Sequence, residues 1–176
     1  RLMGAQNVFV LDGGMDGWKA EGRFTTDKPT MCAPTAFVPK FNVSKVTSFD
    51  AMMEVVADQS MQIADARGPG RFTGDEAEPR EGMRSGHMPG AKNVHYATLA
   101  PNGRLLDLDA LREVIEDAGI DPQKPVVTTC GSGVTAAVIT LALASLGNHD
   151  TTLYDGSWAQ WGAREDTPVA TGPAAA

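Results

Sequence analysis

Apolar positions in this chain follow two rhythms. In the first they recur every three or four residues. Phe49, Met52, Met53 and Val56 share one face behind Ser48, a residue type suited to capping a helix. Leu108, Leu111, Ile115 and Ala118 form a second stripe after Asp107, and Gly119 is placed to end it. An Ala- and Leu-rich stretch from about Val134 to Leu146, closed by Gly147, predicts a third helix. In the second rhythm the apolar residues are few and consecutive. Gln62-Ile63-Ala64 predicts a strand ending at Asp65. Pro125-Val126-Val127-Thr128-Thr129, rich in β-branched residues, predicts a strand buried on both faces. Strands alternating with helices predict an α/β fold, an open parallel sheet with helices on both faces.

The pattern also repeats itself. Val10-Leu11-Asp12-Gly13-Gly14-Met15-Asp16-Gly17-Trp18 resembles Leu153-Tyr154-Asp155-Gly156-Ser157-Trp158-Ala159-Gln160-Trp161 at a constant offset of 143, with Asp12, Gly13 and Trp18 recurring as Asp155, Gly156 and Trp161. Each copy predicts a short strand, an Asp-Gly turn and a helix that presents a tryptophan. That offset is the length of a domain and too long for a solenoid repeat. Residues 1–22 are therefore expected to be the C-terminal remnant of a first, related domain whose front is missing, and to stay out of the main sheet. Residues 23–42, with Pro29, Pro34 and Pro39 among threonines, predict an extended linker. Residues 43–170 form the main domain, and 171–176 (Thr-Gly-Pro-Ala-Ala-Ala) are expected to be a loose tail.

Composition removes several function classes. The chain has 176 residues, 15 Lys+Arg against 22 Asp+Glu, and a formal net charge of −7. An acidic chain without a long basic run is poorly suited to nucleic acid or to an anionic membrane surface. No stretch approaches the ~18 apolar residues of a membrane span. Neither nucleic acid nor membrane is expected as a partner. Cys32 and Cys130 lie far apart in different contexts, so no disulfide scaffold is indicated. Three histidines with no CxxC or HExxH give no metal site, and no cofactor is expected. Nothing resembles a signal peptide, and a cytoplasmic location is expected. Cys32, within the proline-spaced linker, reads as inert.

The segment richest in chemistry is Cys130-Gly131-Ser132-Gly133-Val134-Thr135-Ala136, between the buried strand and the Ala-rich helix. Ligands in open α/β sheets bind at the carboxyl ends of strands. Two glycines let successive N–H groups converge on one point, and the following helix adds partial positive charge. A thiol placed there ionises readily. The alternative is a buried apolar cysteine at a strand end.

This loop resembles the active-site loop of the 3-mercaptopyruvate sulfurtransferases, members of the rhodanese superfamily. Asp65-Ala66-Arg67, Gly70-Arg71-Phe72, Glu78-Pro79-Arg80 and Gly86-His87-Met88-Pro89-Gly90-Ala91 before it, and Tyr154-Asp155-Gly156-Ser157-Trp158 after it, extend the resemblance in order along the chain. The resemblance implies two rhodanese-like domains, the second carrying the cysteine. It implies 3-mercaptopyruvate as sulfur donor, a Cys130 persulfide, and a thiol acceptor such as a small thiol or a thioredoxin-like protein, with cyanide as a further acceptor. It assigns catalysis to Cys130 and Ser132, with Gly131, Gly133, Val134 and Thr135 lining the substrate. Arg71 and Arg80 would bind the donor's carboxylate and carbonyl, unless they pair with Asp75, Glu76, Glu78 or Glu81. Asp65 and Arg67 read as a structural pair tying loops together. His87 reads as part of a tight turn, its imidazole bonded to backbone, and His95 and His149 as surface or loop residues. Asp155 and Trp158 read as fixing the last turn and covering the core.

Two rival chemistries and one binding role are weighed against that reading. Thiosulfate-using rhodaneses typically carry cations in this loop, where Gly-Ser-Gly-Val-Thr has none. Cysteine phosphatases need Cys-x5-Arg, and position 136 is Ala. A non-catalytic rhodanese-like binding module would not need both the thiol and the glycine nest.

Overall fold

The computed structural model describes residues 1–175. Its strands are β1 (Gln62–Asp65), β2 (Ala91–Asn93), β3 (Val126–Thr129) and β4 (Thr151–Leu153), all parallel, in the order β2-β1-β3-β4. The helices are α1 (Gly14–Ala20), α2 (Phe49–Asp58), α3 (Pro69–Thr73), α4 (Tyr96–Leu99), α5 (Leu108–Asp117), α6 (Ala136–Ser145) and α7 (Ser157–Trp161). The expected caps are in place: Ser48 accepts from the Ala51 amide at 3.2 Å, and Asp107 from the Ala110 amide at 2.9 Å. Side chains alternate across the sheet as a pleat requires. Ile63 and Val127 join Met52, Val55, Val56, Trp158 and Trp161 in one apolar layer. Ala64 and Val126 join Leu111, Ile115, Ile139 and Leu143 in the other. The sheet is therefore covered on both faces, as its β-branched central strand predicts.

Chain order creates the site. From β1 the chain steps outward to β2, then crosses back to β3 on the other side of β1. The two central strands, in register from Gln62 opposite Val126 to Asp65 opposite Thr129, thus send their following loops apart. The crevice between them, at the carboxyl ends of the strands, is where open α/β sheets hold ligands.

Four details differ from the sequence-based expectation. Helix α6 starts at Ala136, not at Val134, because residues 130–135 are spent on the preceding loop. Leu108, expected on the buried stripe of α5, is 56% exposed; as the first residue of the helix it faces solvent, while Leu111 and Ile115 are fully buried. Residues 8–11 are not a strand. Val10 is 71% exposed, and no neighbouring strand supplies the partner that strand formation requires. Residues 171–175 do not trail away. Ala170 pairs with His87, the Gly172 amide donates to the Thr73 carbonyl at 2.8 Å, and Ala174 packs against the α2 layer. Ala176 lies outside the described residues.

The turn and helix of the repeat are present in both copies. Gly14 (φ 56°) and Ser157 (φ 48°) each open their helix in the left-handed conformation. The indole N–H groups of Trp18 and Trp161 donate to the carbonyls of Phe24 and Pro168 at 2.9 and 2.8 Å. Helix α1 sits outside the sheet, held by Arg104, which donates to Asp12 at 2.7 Å. Residues 23–42 are exposed, and Lys40 and Asn42 return beside Met3 and Leu2 through backbone hydrogen bonds. No helix among the described residues is long and apolar enough to cross a membrane.

The α5 geometry makes a direct prediction. Leu111→Ala should cost about 2–5 kcal/mol in denaturant unfolding, as buried large-to-small changes do. Leu108→Ala should stay within about 0.5 kcal/mol of the parent. Equal effects would place the helix on its other face.

Candidate active site

The site starts where β3 ends. Cys130 follows Thr129 directly, and only 2% of the residue is exposed. Burial pushes the thiol's pKa up. The Thr135 hydroxyl and the amides of Ser132, Ala136 and Thr135 more than offset that and bring it below its ordinary value. Thr135 precedes α6 without capping it, so its hydroxyl is not committed to the helix and serves the sulfur instead. Gly133 makes the cradle possible. It has φ +81°, and a β-carbon there would come within 2.9 Å of Asp155 Oδ1. Ser132 reaches the sulfur through its amide, while its side chain belongs to an exposed residue; Val134, 73% exposed, stands at the mouth.

A cluster of two arginines and two carboxylates lies across the crevice. Arg67, just past β1, is fully buried. It donates from Nη2 to Asp65 at 2.7 Å and to the Gly86 carbonyl at 2.8 Å, and from Nη1 to Glu78 at 2.8 Å. Its guanidinium lies 4.3 Å above the Trp158 ring. Burial pulls the Arg67 pKa down, but Asp65 and Glu78 together hold it above its ordinary value. The reading of Asp65 and Arg67 as a structural pair fits this geometry.

Arg71, on α3, gives Nε and Nη2 to the same Glu78 at 3.2 and 2.5 Å. It nevertheless faces the cysteine loop, since a β-carbon on Gly131 would come within 2.9 Å of Arg71 Nη2. Pairing with a nearby acid and facing the thiol loop therefore occur together. With Glu78 taking one edge, Arg71 keeps donors free on a side chain that is 27% exposed. Arg80 is different. It is exposed, and among the described residues no hydrogen bond or ion pair ties it to the loop. His87 is buried, stacked 3.9 Å from Phe72, and its Nδ1–H donates to the Phe72 carbonyl at 2.9 Å. It is committed to the turn before β2, as expected. Trp158 is fully buried, whereas Asp155 is exposed and touches the loop beside Gly133. Among the described residues no cluster of His, Cys, Asp and Glu could hold a metal ion.

The family profile described as Rhodanese-like domain matches residues 47–164. The chain belongs to the rhodanese-like family.

Within that family it is 38% identical over 169 residues to the 3-mercaptopyruvate sulfurtransferase of Escherichia coli K12, covering 96% of this chain and 60% of that protein. It is 36% identical over 162 residues to the thiosulfate sulfurtransferase of Gallus gallus, covering 92% of this chain and 55% of the relative. Among solved structures, the 3-mercaptopyruvate sulfotransferase SseA of E. coli matches with a TM-score of 0.79 and 36% identity, over 89% of this chain and 58% of that one. The chain thus spans about 60% of the length of the E. coli relative.

In this rhodanese-like domain, two residues at the site were not singled out by sequence reasoning. Glu78 appeared only as one of several acids near the arginines. Its signal is three-dimensional, because only the fold brings Arg67 and Arg71 to the same carboxylate. Ser157 appeared only within a motif, although its Oγ accepts from the Cys130 amide at 3.2 Å.

Two outcomes follow from the geometry. Thr135→Val should move the midpoint of Cys130 alkylation by iodoacetamide to higher pH, because the thiolate loses a donor. Below the midpoint the rate should fall with the thiolate fraction. Glu78→Gln should cost roughly 1–3 kcal/mol in urea unfolding, because it withdraws a charged partner from buried Arg67.

Proposed function

We propose that this domain is a sulfurtransferase that takes sulfur from 3-mercaptopyruvate onto Cys130. The Cys130 thiolate attacks the donor's sulfur, an S–S bond forms and the S–CH2 bond breaks. The electron pair of that bond leaves with the three-carbon fragment as the enolate of pyruvate, which takes up a proton. The persulfide then gives its outer sulfur to a small thiol, to cyanide or to a thioredoxin-like protein, releasing the Cys130 thiolate.

The observation that carries this reading is Arg71, facing Gly131 at the mouth of a thiol cradle that has no cationic side chain of its own. Backbone amides suit the sulfur, and a guanidinium fork suits the carboxylate and carbonyl of the donor. Arg80, exposed and without an ion pair among the described residues, takes the second, outer place at the donor's carboxylate in this reading. Ser132, Gly131, Gly133, Val134 and Thr135 line the reacting sulfur in this reading. A reducing compartment such as the cytoplasm would keep Cys130 free. The shared left-handed opening of α1 and α7 supports reading residues 1–22 as the end of a first rhodanese-like unit.

Thiosulfate is the second donor to test, because one relative bears that activity in its name. Intact-mass measurement after incubation with 3-mercaptopyruvate should show one added sulfur on Cys130 and none on Cys32, and Cys130→Ser should abolish transfer. Sulfur on Cys32 with Cys130 unmodified would overturn the assignment. Arg71→Ala should lower kcat/KM for 3-mercaptopyruvate roughly 10–150-fold, the worth of one charge-assisted hydrogen bond. Arg71→Lys should recover part of that, and thiosulfate turnover should fall less. Equal loss with both donors would mean that Arg71 acts through structure.

A further inference from the structure

Ser157 is a fully buried residue at the start of a helix, with φ 48°. Two other non-glycine residues share a positive φ among the described residues, Gln59 and Asn102, and both are exposed at helix ends or turns. A left-handed residue inside the fold is an unfavourable place for a side chain, and glycine fits there without strain. The repeat supplies the comparison. Gly14, 143 positions earlier, opens α1 with φ 56° at the equivalent place. The turn itself therefore asks only for glycine, and the hydroxyl at 157 needs a separate reason.

Its hydrogen bonds supply one. Ser157 Oγ donates to the Tyr154 carbonyl at 2.9 Å, accepts the Cys130 amide at 3.2 Å and sits 3.4 Å from the Thr129 hydroxyl. The next two amides of α7 continue the contact: Trp158 N–H donates to the Cys130 carbonyl and Ala159 N–H to the Gly131 carbonyl, each at 2.9 Å. A trans peptide points each N–H opposite to the carbonyl before it. Drawing the Gly131 carbonyl toward α7 therefore turns the Ser132 N–H away from α7. That amide is one of those acting on the Cys130 sulfur. The first free N–H groups of a helix, which have no partner inside it, are here used as clamps on the loop.

We propose that Ser157 is a positioning residue for the nucleophile: its hydroxyl secures the amide of Cys130 while α7 holds the Cys130 and Gly131 carbonyls, so that the Ser132 amide faces the sulfur. This rests on Cys130 being the reacting group, as in the sulfur-transfer reading above. It adds a residue whose hydroxyl makes no hydrogen bond to the sulfur and acts through the backbone of Cys130.

The test uses Ser157→Gly, which suits the left-handed turn and removes the CH2OH group, with Ser157→Ala, which removes only the hydroxyl, beside it. The primary readout is the pH dependence of Cys130 alkylation, which needs no sulfur donor. Ser157→Gly should raise the midpoint by about one pH unit, leaving about tenfold less thiolate below it, while circular dichroism keeps the parent's fold. In persulfide loading from 3-mercaptopyruvate, the variant should lose rate without loss of donor affinity, because Arg71 is untouched. If the variants fail to fold, hydrogen exchange of the unaltered protein decides, with the Cys130 amide expected among the slowly exchanging set. An unchanged alkylation profile in a folded Ser157→Gly, or rapid exchange at Cys130, overturns the proposal. A protein that takes no sulfur from the donor yet shows the alkylation shift would refute the sulfur-transfer reading and leave the Ser157 inference standing.

Discussion

A guanidinium sealed into the carboxyl end of β1 must be met on every edge, and much of the site follows from how Arg67 is met. Asp65 takes one side from two residues away, Glu78 arrives from the loop after α3, the Gly86 carbonyl comes from the turn before β2, and the Trp158 ring of α7 closes the face. Leaving such a charge unpaired would cost several kcal/mol, so these four segments are required to converge. Two of the partners lead on to the thiol. Glu78 also grips Arg71 through Nε and Nη2, and that same Nη2 lies toward Gly131. Trp158 donates its amide to the Cys130 carbonyl. Burial of one cation thus sets the positions of both walls of the crevice.

Arg67 and Arg71 together balance Asp65 and Glu78, so this cluster has no formal net charge. What favours a thiolate at Cys130 is hydrogen bonding, first from the Thr135 hydroxyl and then from the amides of Ser132, Ala136 and Thr135, with the start of α6 adding partial positive charge. Dipoles fixed in position act over a short range and favour a single charged atom. A guanidinium at the mouth can engage a second charge farther out. This division between an inner neutral nest and an outer fork is what lets the proposed reading separate the handling of sulfur from the handling of the rest of the donor.

Local features of the chain were legible from the sequence. Ser48 and Asp107 cap the helices they precede, Val126–Thr129 forms the buried strand, and Cys130-Gly131-Ser132-Gly133 forms a turn in which Gly133 takes the left-handed conformation. Features that depend on distant partners were not. Nothing in the order of residues distinguishes Glu78 from Asp75, Glu76 or Glu81 as the acid shared by two arginines. Residues 8–11 have the pattern of a strand but lie beside none. Leu108 keeps the helical spacing yet stands at the exposed end of α5. Residues 171–175 look like a tail by composition, but Gly172 bonds to the Thr73 carbonyl and Ala174 packs against the α2 layer. Ser157 falls between these cases. Its repeat partner, Gly14, is visible in the sequence, but the meaning of a serine in that place appears only with its backbone angle.

The clamping of the Cys130 and Gly131 carbonyls by α7 has an electrical consequence. In the proposed sulfur transfer, forming or emptying the persulfide would move the site of negative charge by about 2 Å, the length of one S–S bond. In water such a move obliges solvent molecules to reorient, and that reorientation is part of the barrier. Of the amides that act on the Cys130 sulfur, that of Ser132 shares its peptide plane with the Gly131 carbonyl held by α7, and those of Thr135 and Ala136 share theirs with the Val134 and Thr135 carbonyls bonded to Ala137 and Val138 of α6, so all three have little freedom to turn. In that reaction the reorganisation energy would already have been spent when the domain folded, and the same fixed field would serve the arrival of sulfur and its departure.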